Sequence, residues 1–104
     1  MHKSEIDYII LRILEDNPKI TQRELSKELG LSLGKTNYVI NALIDNGWVK
    51  FSNFRRSDNK IGYLYVLTPA GLAKKTVLAQ NFLNRKSEEY NRLKKEIETL
   101  KNEL

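Results

Sequence analysis

The chain has 104 residues, 40% hydrophobic and 30% charged, with no cysteine, one histidine and a formal net charge of +5. That length holds one domain with a modest core plus an appendage, and no stretch approaches the roughly 18 consecutive apolar residues of a membrane span. Without thiols there are no disulfides, iron–sulfur clusters or thiolate zinc sites, and the single His2 lies in a terminal segment that holds a ligand poorly, so neither a metal nor any other cofactor is expected.

Met1-His2-Lys3-Ser4 runs into an amphipathic segment without the apolar stretch and small-residue cleavage site of a signal peptide, so a cytoplasmic location with no membrane partner is expected. From Ser4 to about Glu15, Ile6, Ile9, Ile10, Ile13 and Leu14 recur at helical spacing, and Asn17-Pro18 stops that helix. Thr21-Gln22-Arg23-Glu24 is a capping box opening a short second helix, with Leu25 and Leu29 inward and Gly30 suited to a left-handed stop. Ser32 is a good N-cap for a third helix running to about Asn46, closed by Gly47. Its core face carries Thr36, Val39, Ile40 and Leu43.

Two helices joined by a short glycine-containing turn have the pattern of a helix-turn-helix. Trp48-Val49-Lys50-Phe51 and Ile61 to Leu67 are rich in aromatic and β-branched residues, and a polar connector joins them, which reads as a hairpin with a long basic tip. A hairpin in this place is the wing of a winged helix. Charge supports the same division. Residues 1–49 carry six Lys or Arg against seven Asp or Glu, so the basic excess lies downstream, where Lys50, Arg55, Arg56 and Lys60 face only Asp58. Thr68-Pro69 then begins a fourth helix that can run to the end. Leu83, Tyr90, Leu93, Ile97, Leu100 and Leu104 alternate steps of three and four with Lys86 as the only break, about three heptads of a coiled-coil seam. Ile97 at an a position between Leu93 and Leu100 at d positions favours two parallel strands, although so short a seam leaves the antiparallel pairing open. The expected architecture is therefore mainly α with a small β-hairpin: a winged helix-turn-helix domain over residues 1–68 and a dimerisation helix over residues 69–104.

These residues resemble the MarR-type winged helix regulators, and among them the short members associated with exopolysaccharide gene clusters. The resemblance covers nearly the whole chain. It rests on Gln22 to Leu25, Leu31 to Tyr38, Leu43 to Lys50, Asn53-Phe54, Gly62-Tyr63 and Leu67-Thr68-Pro69-Ala70-Gly71, with Gly34-Lys35-Thr36-Asn37-Tyr38 pointing to the narrower group. It implies a transcriptional regulator, with exopolysaccharide genes among the expected targets. The helical pair that completes the dimer interface of the larger family is replaced here by one C-terminal helix, so a small-molecule effector is not expected.

In a winged helix the third helix here would enter the major groove with its N-terminal residues at base edges, while the second rests on the backbone. With the core face assigned, the opposite face presents Ser32, Leu33, Lys35, Asn37, Tyr38 and Asn41. Lys35 suits guanine, Asn37 or Asn41 adenine, and Leu33 a thymine methyl, while Gly34 permits close approach. Tyr38 can face the duplex or pack under the wing. Gln22 and Arg23 are placed for phosphates, and Arg55, Arg56 and Lys60 for a phosphate or the minor groove. Trp48, Phe51, Tyr63 and Tyr65 read as core and hairpin residues.

An enzyme fails on inventory. Catalytic histidine and cysteine are lacking, and Gly30 to Thr36, although it ends GxxxGKT, has three residues between its glycines where a phosphate loop needs four, and follows a helix where that loop follows a strand. Double-stranded DNA is thus the expected partner of a homodimer, with repression by promoter occlusion as the expected mode. The alternative is a winged helix serving as a protein-interaction module, with its coiled-coil tail on another protein.

Overall fold

The computed structural model describes residues 2–104, the side chain of Ile61 excepted. Six elements follow one another: α1 (Lys3–Asp16), α2 (Gln22–Leu29), α3 (Leu33–Asp45), β1 (Val49–Arg55), β2 (Ile61–Leu67) and α4 (Pro69–Asn102). The architecture is the mainly helical winged helix-turn-helix that the hydrophobic spacing predicts. Local chemistry sets the boundaries. The Thr21 and Ser32 hydroxyls each accept a bond from the amide three residues on, at 3.1 and 3.0 Å, and Gly30 ends α2 in the left-handed conformation at φ 67°. His2 caps α1, its Nδ1 accepting from the Ser4 amide, so the one histidine serves a helix end.

Ile10, Leu11, Leu14, Leu25, Ile40 and Leu43 are almost wholly buried and form the centre of the core. The face of α1 differs from the expected stripe: Leu11 and Asp7 are buried, whereas Ile9 and Ile13 are only half-buried. The cause is α4, which packs along α1 from a second side while β2 and α3 cover the first. Leu78 enters the core, Phe82 stacks on Tyr8 with ring centroids 5.7 Å apart, and two ion pairs, Lys75–Glu15 at 2.6 Å and Arg85–Glu5 at 3.3 Å, flank the contact. The first half of α4 is thus fastened to the domain. From Lys86 onward it stands free, giving the molecule its 68 Å length against 26 and 23 Å across.

One junction ties the end of α3 to the hairpin and α4. Gly47 turns the chain at φ 77°, the Thr68 amide donates to the Trp48 carbonyl at 3.1 Å, and the Thr68 hydroxyl donates to the Gly47 carbonyl while accepting from the Gly71 amide. The first turn of α4 comes so close to Trp48 that a Cβ on Gly71 would meet its carbonyl oxygen. The Leu-Thr-Pro-x-Gly sequence is the local requirement of that junction.

The hairpin is longer and its tip shorter than the composition predicts. β1 continues through Ser52, Asn53, Phe54 and Arg55, paired antiparallel from Val49 opposite Leu67 to Arg55 opposite Ile61. Its polar side chains hid it from a reading based on β-branched content, but backbone pairing does not require apolar residues. Only Arg56 to Lys60 form the turn, with Asn59 left-handed at φ 67° and the Arg56 amide donating to the Lys60 carbonyl at 2.7 Å.

Candidate nucleic-acid interface

The start of α3 presents to solvent the residues that its sequence pattern places there. Thr36 is fully buried, its hydroxyl donating to the Ser32 carbonyl at 2.9 Å, and with Val39, Ile40 and Leu43 it fixes the rotation of the helix. Ser32, Leu33, Gly34, Lys35, Asn37, Tyr38 and Asn41 all lie on the exposed side. Tyr38 is 68% exposed, so it does not pack under the wing; the Lys35 ammonium sits 5.5 Å from its ring centre. Leu33, at 44% exposure, is an apolar side chain in water at a helix start, where the fold gains little from it. Space around Gly34 is open, with no atom near enough to meet an added Cβ, so its glycine is not a demand of internal packing.

Arg23, in the first turn of α2, is exposed. Gln22 is different. It is half-buried, and both ends of its amide are engaged: Oε1 accepts from Asn37 Nδ2 at 3.0 Å, and Nε2 donates to the Tyr65 hydroxyl at 2.9 Å. Asn37 Oδ1 in turn accepts from Asn41 Nδ2 at 3.1 Å. Residues assigned separate tasks from the sequence are joined in one network, which no local pattern shows because its members come from three elements.

Arg55, Arg56 and Lys60 are exposed at the far end of the hairpin, as a basic wing requires. Arg55 belongs to the end of β1 rather than to a long loop, and its Nη1 donates to the Asn59 side chain at 3.0 Å. Arg56 pairs with Asp58 at 3.3 Å, an exposed contact of the kind that contributes about 0–1 kcal/mol. The same Asp58 accepts from the Lys60 amide, so the tip is braced by its own polar groups.

The aromatic residues divide differently from the sequence reading. Tyr65 is buried and Trp48 half-buried, with the Lys74 ammonium 4.9 Å from the Trp48 ring centre. Phe51 and Tyr63, however, are 45% and 55% exposed and stack on one another with ring centroids 5.4 Å apart. They are not core. They line an open groove of about 770 Å³ between the hairpin and the segment leading into α2, which Lys19, Gln22, Phe54 and Tyr65 complete.

Along α4, Leu83, Tyr90, Leu93, Ile97, Leu100 and Leu104 are all exposed. Leu72 is exposed too, and the steps Leu72, Thr76, Ala79, Leu83 carry the same seam back to the helix start. Lys86, the break in it, turns its ammonium to Glu89 at 3.2 Å. Among the described residues no cluster of three or more His, Asp or Glu side chains could hold a metal, and no helix is long and apolar enough to cross a membrane.

Residues 3–50 match a protein-family model described as winged helix-turn-helix DNA-binding. No curated protein matches the chain. Among solved structures, a Streptococcus transcriptional regulator superposes with a TM-score of 0.69 at 16% identity, over 88% of this chain and 94% of that one. Staphylococcus aureus MarR gives 0.59 at 17% identity, over 83% of this chain and 56% of its own. FabT of Streptococcus pneumoniae, solved in complex with DNA, gives 0.55 at 21% identity, over 83% of this chain and 58% of its own. The chain therefore spans little more than half the length of the latter two, and shares their fold. The matching family model is one of DNA-binding winged helix-turn-helix domains, and the Streptococcus neighbour is a transcriptional regulator.

Proposed function

We propose that this winged helix-turn-helix protein, whose fold is that of MarR-type regulators, is a sequence-specific regulator of transcription that binds double-stranded DNA as a homodimer. The observation that carries the proposal is the start of α3. Lys35, Asn37 and Asn41 stand exposed on one face, with an unhindered glycine among them and a basic wing on the same chain. Such a face offers donors to guanine, a donor and acceptor to adenine, and a backbone that approaches the groove closely. Arg23, Arg55, Arg56 and Lys60 act on phosphates and carry no sequence information of their own. FabT, which has the same fold, is solved in complex with DNA, which supports duplex binding by this fold.

Dimerisation runs through α4. Its free half repeats apolar residues at coiled-coil spacing on a surface that nothing in the monomer covers, and a second copy would bury it. Repression by promoter occlusion is the proposed action, since a DNA-reading domain joined to a pairing helix can block a promoter by occupying it. The resemblance of Gly34 to Tyr38 to the exopolysaccharide-associated group extends the proposal to genes of that kind.

The test combines sedimentation mass with binding to duplex DNA from the gene's own promoter at two salt concentrations. The expected result is a dimer whose specific, salt-sensitive binding disappears when Lys35→Ala is combined with Asn37→Ala. A protein that binds no duplex at low salt would move the reading to the protein-interaction module.

A further inference from the structure

Four side chains form an unbroken hydrogen-bonded chain from the proposed reading face into the core. Asn41 donates to Asn37, Asn37 to Gln22, and Gln22 to the hydroxyl of Tyr65, at 3.1, 3.0 and 2.9 Å. The outer end is exposed on α3, whereas Tyr65 is only 8% exposed. Tyr65 is itself held twice, by its amide donating to the Pro18 carbonyl at 2.9 Å and by its ring against Phe51 at 5.2 Å. Because the three amides are tied head to tail, none can rotate alone without setting donor against donor or acceptor against acceptor. Asn37 uses one N–H and one lone-pair direction within the chain and keeps one of each, the pair that an adenine edge requires.

We propose that Tyr65, acting through Gln22, is a positioning residue for base readout: its buried hydroxyl anchors the Gln22 amide and, through it, the place at which the Asn37 amide meets an adenine. The inference rests on the duplex-reading role proposed above. It assigns to Gln22 an orienting task in place of a phosphate contact. It also assigns to a core tyrosine, outside the interface, an influence on which base α3 accepts. A side chain held in place before the duplex arrives does not have to be ordered on binding, and a competing base cannot be met by turning the Asn37 amide alone.

The test uses full-length protein and duplexes selected from a pool with a randomised core. Asn37→Ala first identifies the base pair at which discrimination depends on that side chain. Tyr65→Phe, which removes only the hydroxyl, is then expected to lower discrimination at that pair by about fivefold, the worth of one net hydrogen bond. The salt dependence and the other base preferences should stay unchanged. In the free protein, the side-chain amide resonances of Gln22 and Asn37 should shift in the same variant. Gln22→Met, similar in length but without a donor or acceptor, should reproduce the loss, and it decides the matter if Tyr65→Phe does not fold. Unchanged discrimination in a folded variant overturns the proposal. So does a Gln22→Met variant whose salt slope falls while discrimination persists, since that is the signature of a phosphate contact. Failure of the wild-type protein to bind any duplex refutes the regulator reading itself, and with it the readout role; the amide resonances would still report whether Tyr65 orients Asn37.

Discussion

Two glycines of the same chain are expected to respond in opposite ways to the same substitution. At Gly34 an added methyl meets nothing within the protein, so Gly34→Ala should raise stability by about 0.5–1 kcal/mol, since alanine gives up less backbone entropy in a helix. The same variant should bind its duplex less tightly, because the open space is where the groove wall would come. At Gly71 the methyl runs into the main chain of Trp48, which cannot rotate away, and Gly71→Ala should cost about 2–3 kcal/mol in chemical denaturation. Asp7 supplies a pH dependence. Burial pushes its carboxyl above the ordinary range, with Lys3 and Lys74 opposing the shift only in part. A carboxyl whose folded pKa is raised holds its proton better in the native state, so its contribution to stability is greatest at acid pH. That contribution declines as pH rises from the usual carboxylate value through the raised one. Thermal melts from acid to neutral pH should therefore show Asp7→Asn gaining on the wild type as pH increases, and a variant that loses ground would contradict the assignment. The identities of these residues are plain in the sequence, but the burial of Asp7 and the room around Gly34 are not, because both depend on what another element brings alongside.

Among the elements, the helices were the most legible. The Thr21 and Ser32 caps, the stop at Gly30 and the proline start of α4 are local chemistry, each decided within a few residues, and they lie where hydrogen-bonding side chains and glycine put them. The hairpin was legible in kind and wrong in length. Strand β1 runs on through Ser52 and Asn53, whose partners Leu64 and Tyr63 supply the β character that they lack. The consequence for the wing is a short, self-braced tip of five residues in which Arg56 and Lys60 point outward from a turn held by Asp58 and Asn59. If these two side chains bind phosphates, replacing both by alanine should reduce the slope of log affinity against log salt by about two, at roughly 0.9 for each phosphate no longer neutralised, with base preferences preserved. Equal slopes in a titration of the double variant would place the wing away from the duplex.

For the whole molecule the decisive feature is the 34-residue α4, which serves the domain with its first half and leaves the apolar seam of its second half exposed. Leu93→Asp combined with Ile97→Asp places two charges in the seam without touching the packing of Leu78 or Phe82, so thermal stability of the domain should hold while the sedimentation mass falls to that of a monomer. Affinity for a twofold operator should fall with it, because two half-sites one helical turn or a multiple apart are gripped together only by a dimer. A variant that remains a dimer would exclude this seam as the interface. The sequence by itself determined the order of elements, the N-caps of α2, α3 and α4, the core face of α3 and so the exposed face opposite, because helical periodicity and end chemistry act within a few residues. Only the tertiary structure decided that α1 is covered from two sides, that Phe51 and Tyr63 lie exposed along a groove, and that Gln22 and Tyr65 are bonded to the exposed face of α3. Those facts depend on contacts between segments far apart in the chain, where packing geometry, not local preference, selects which side chains meet.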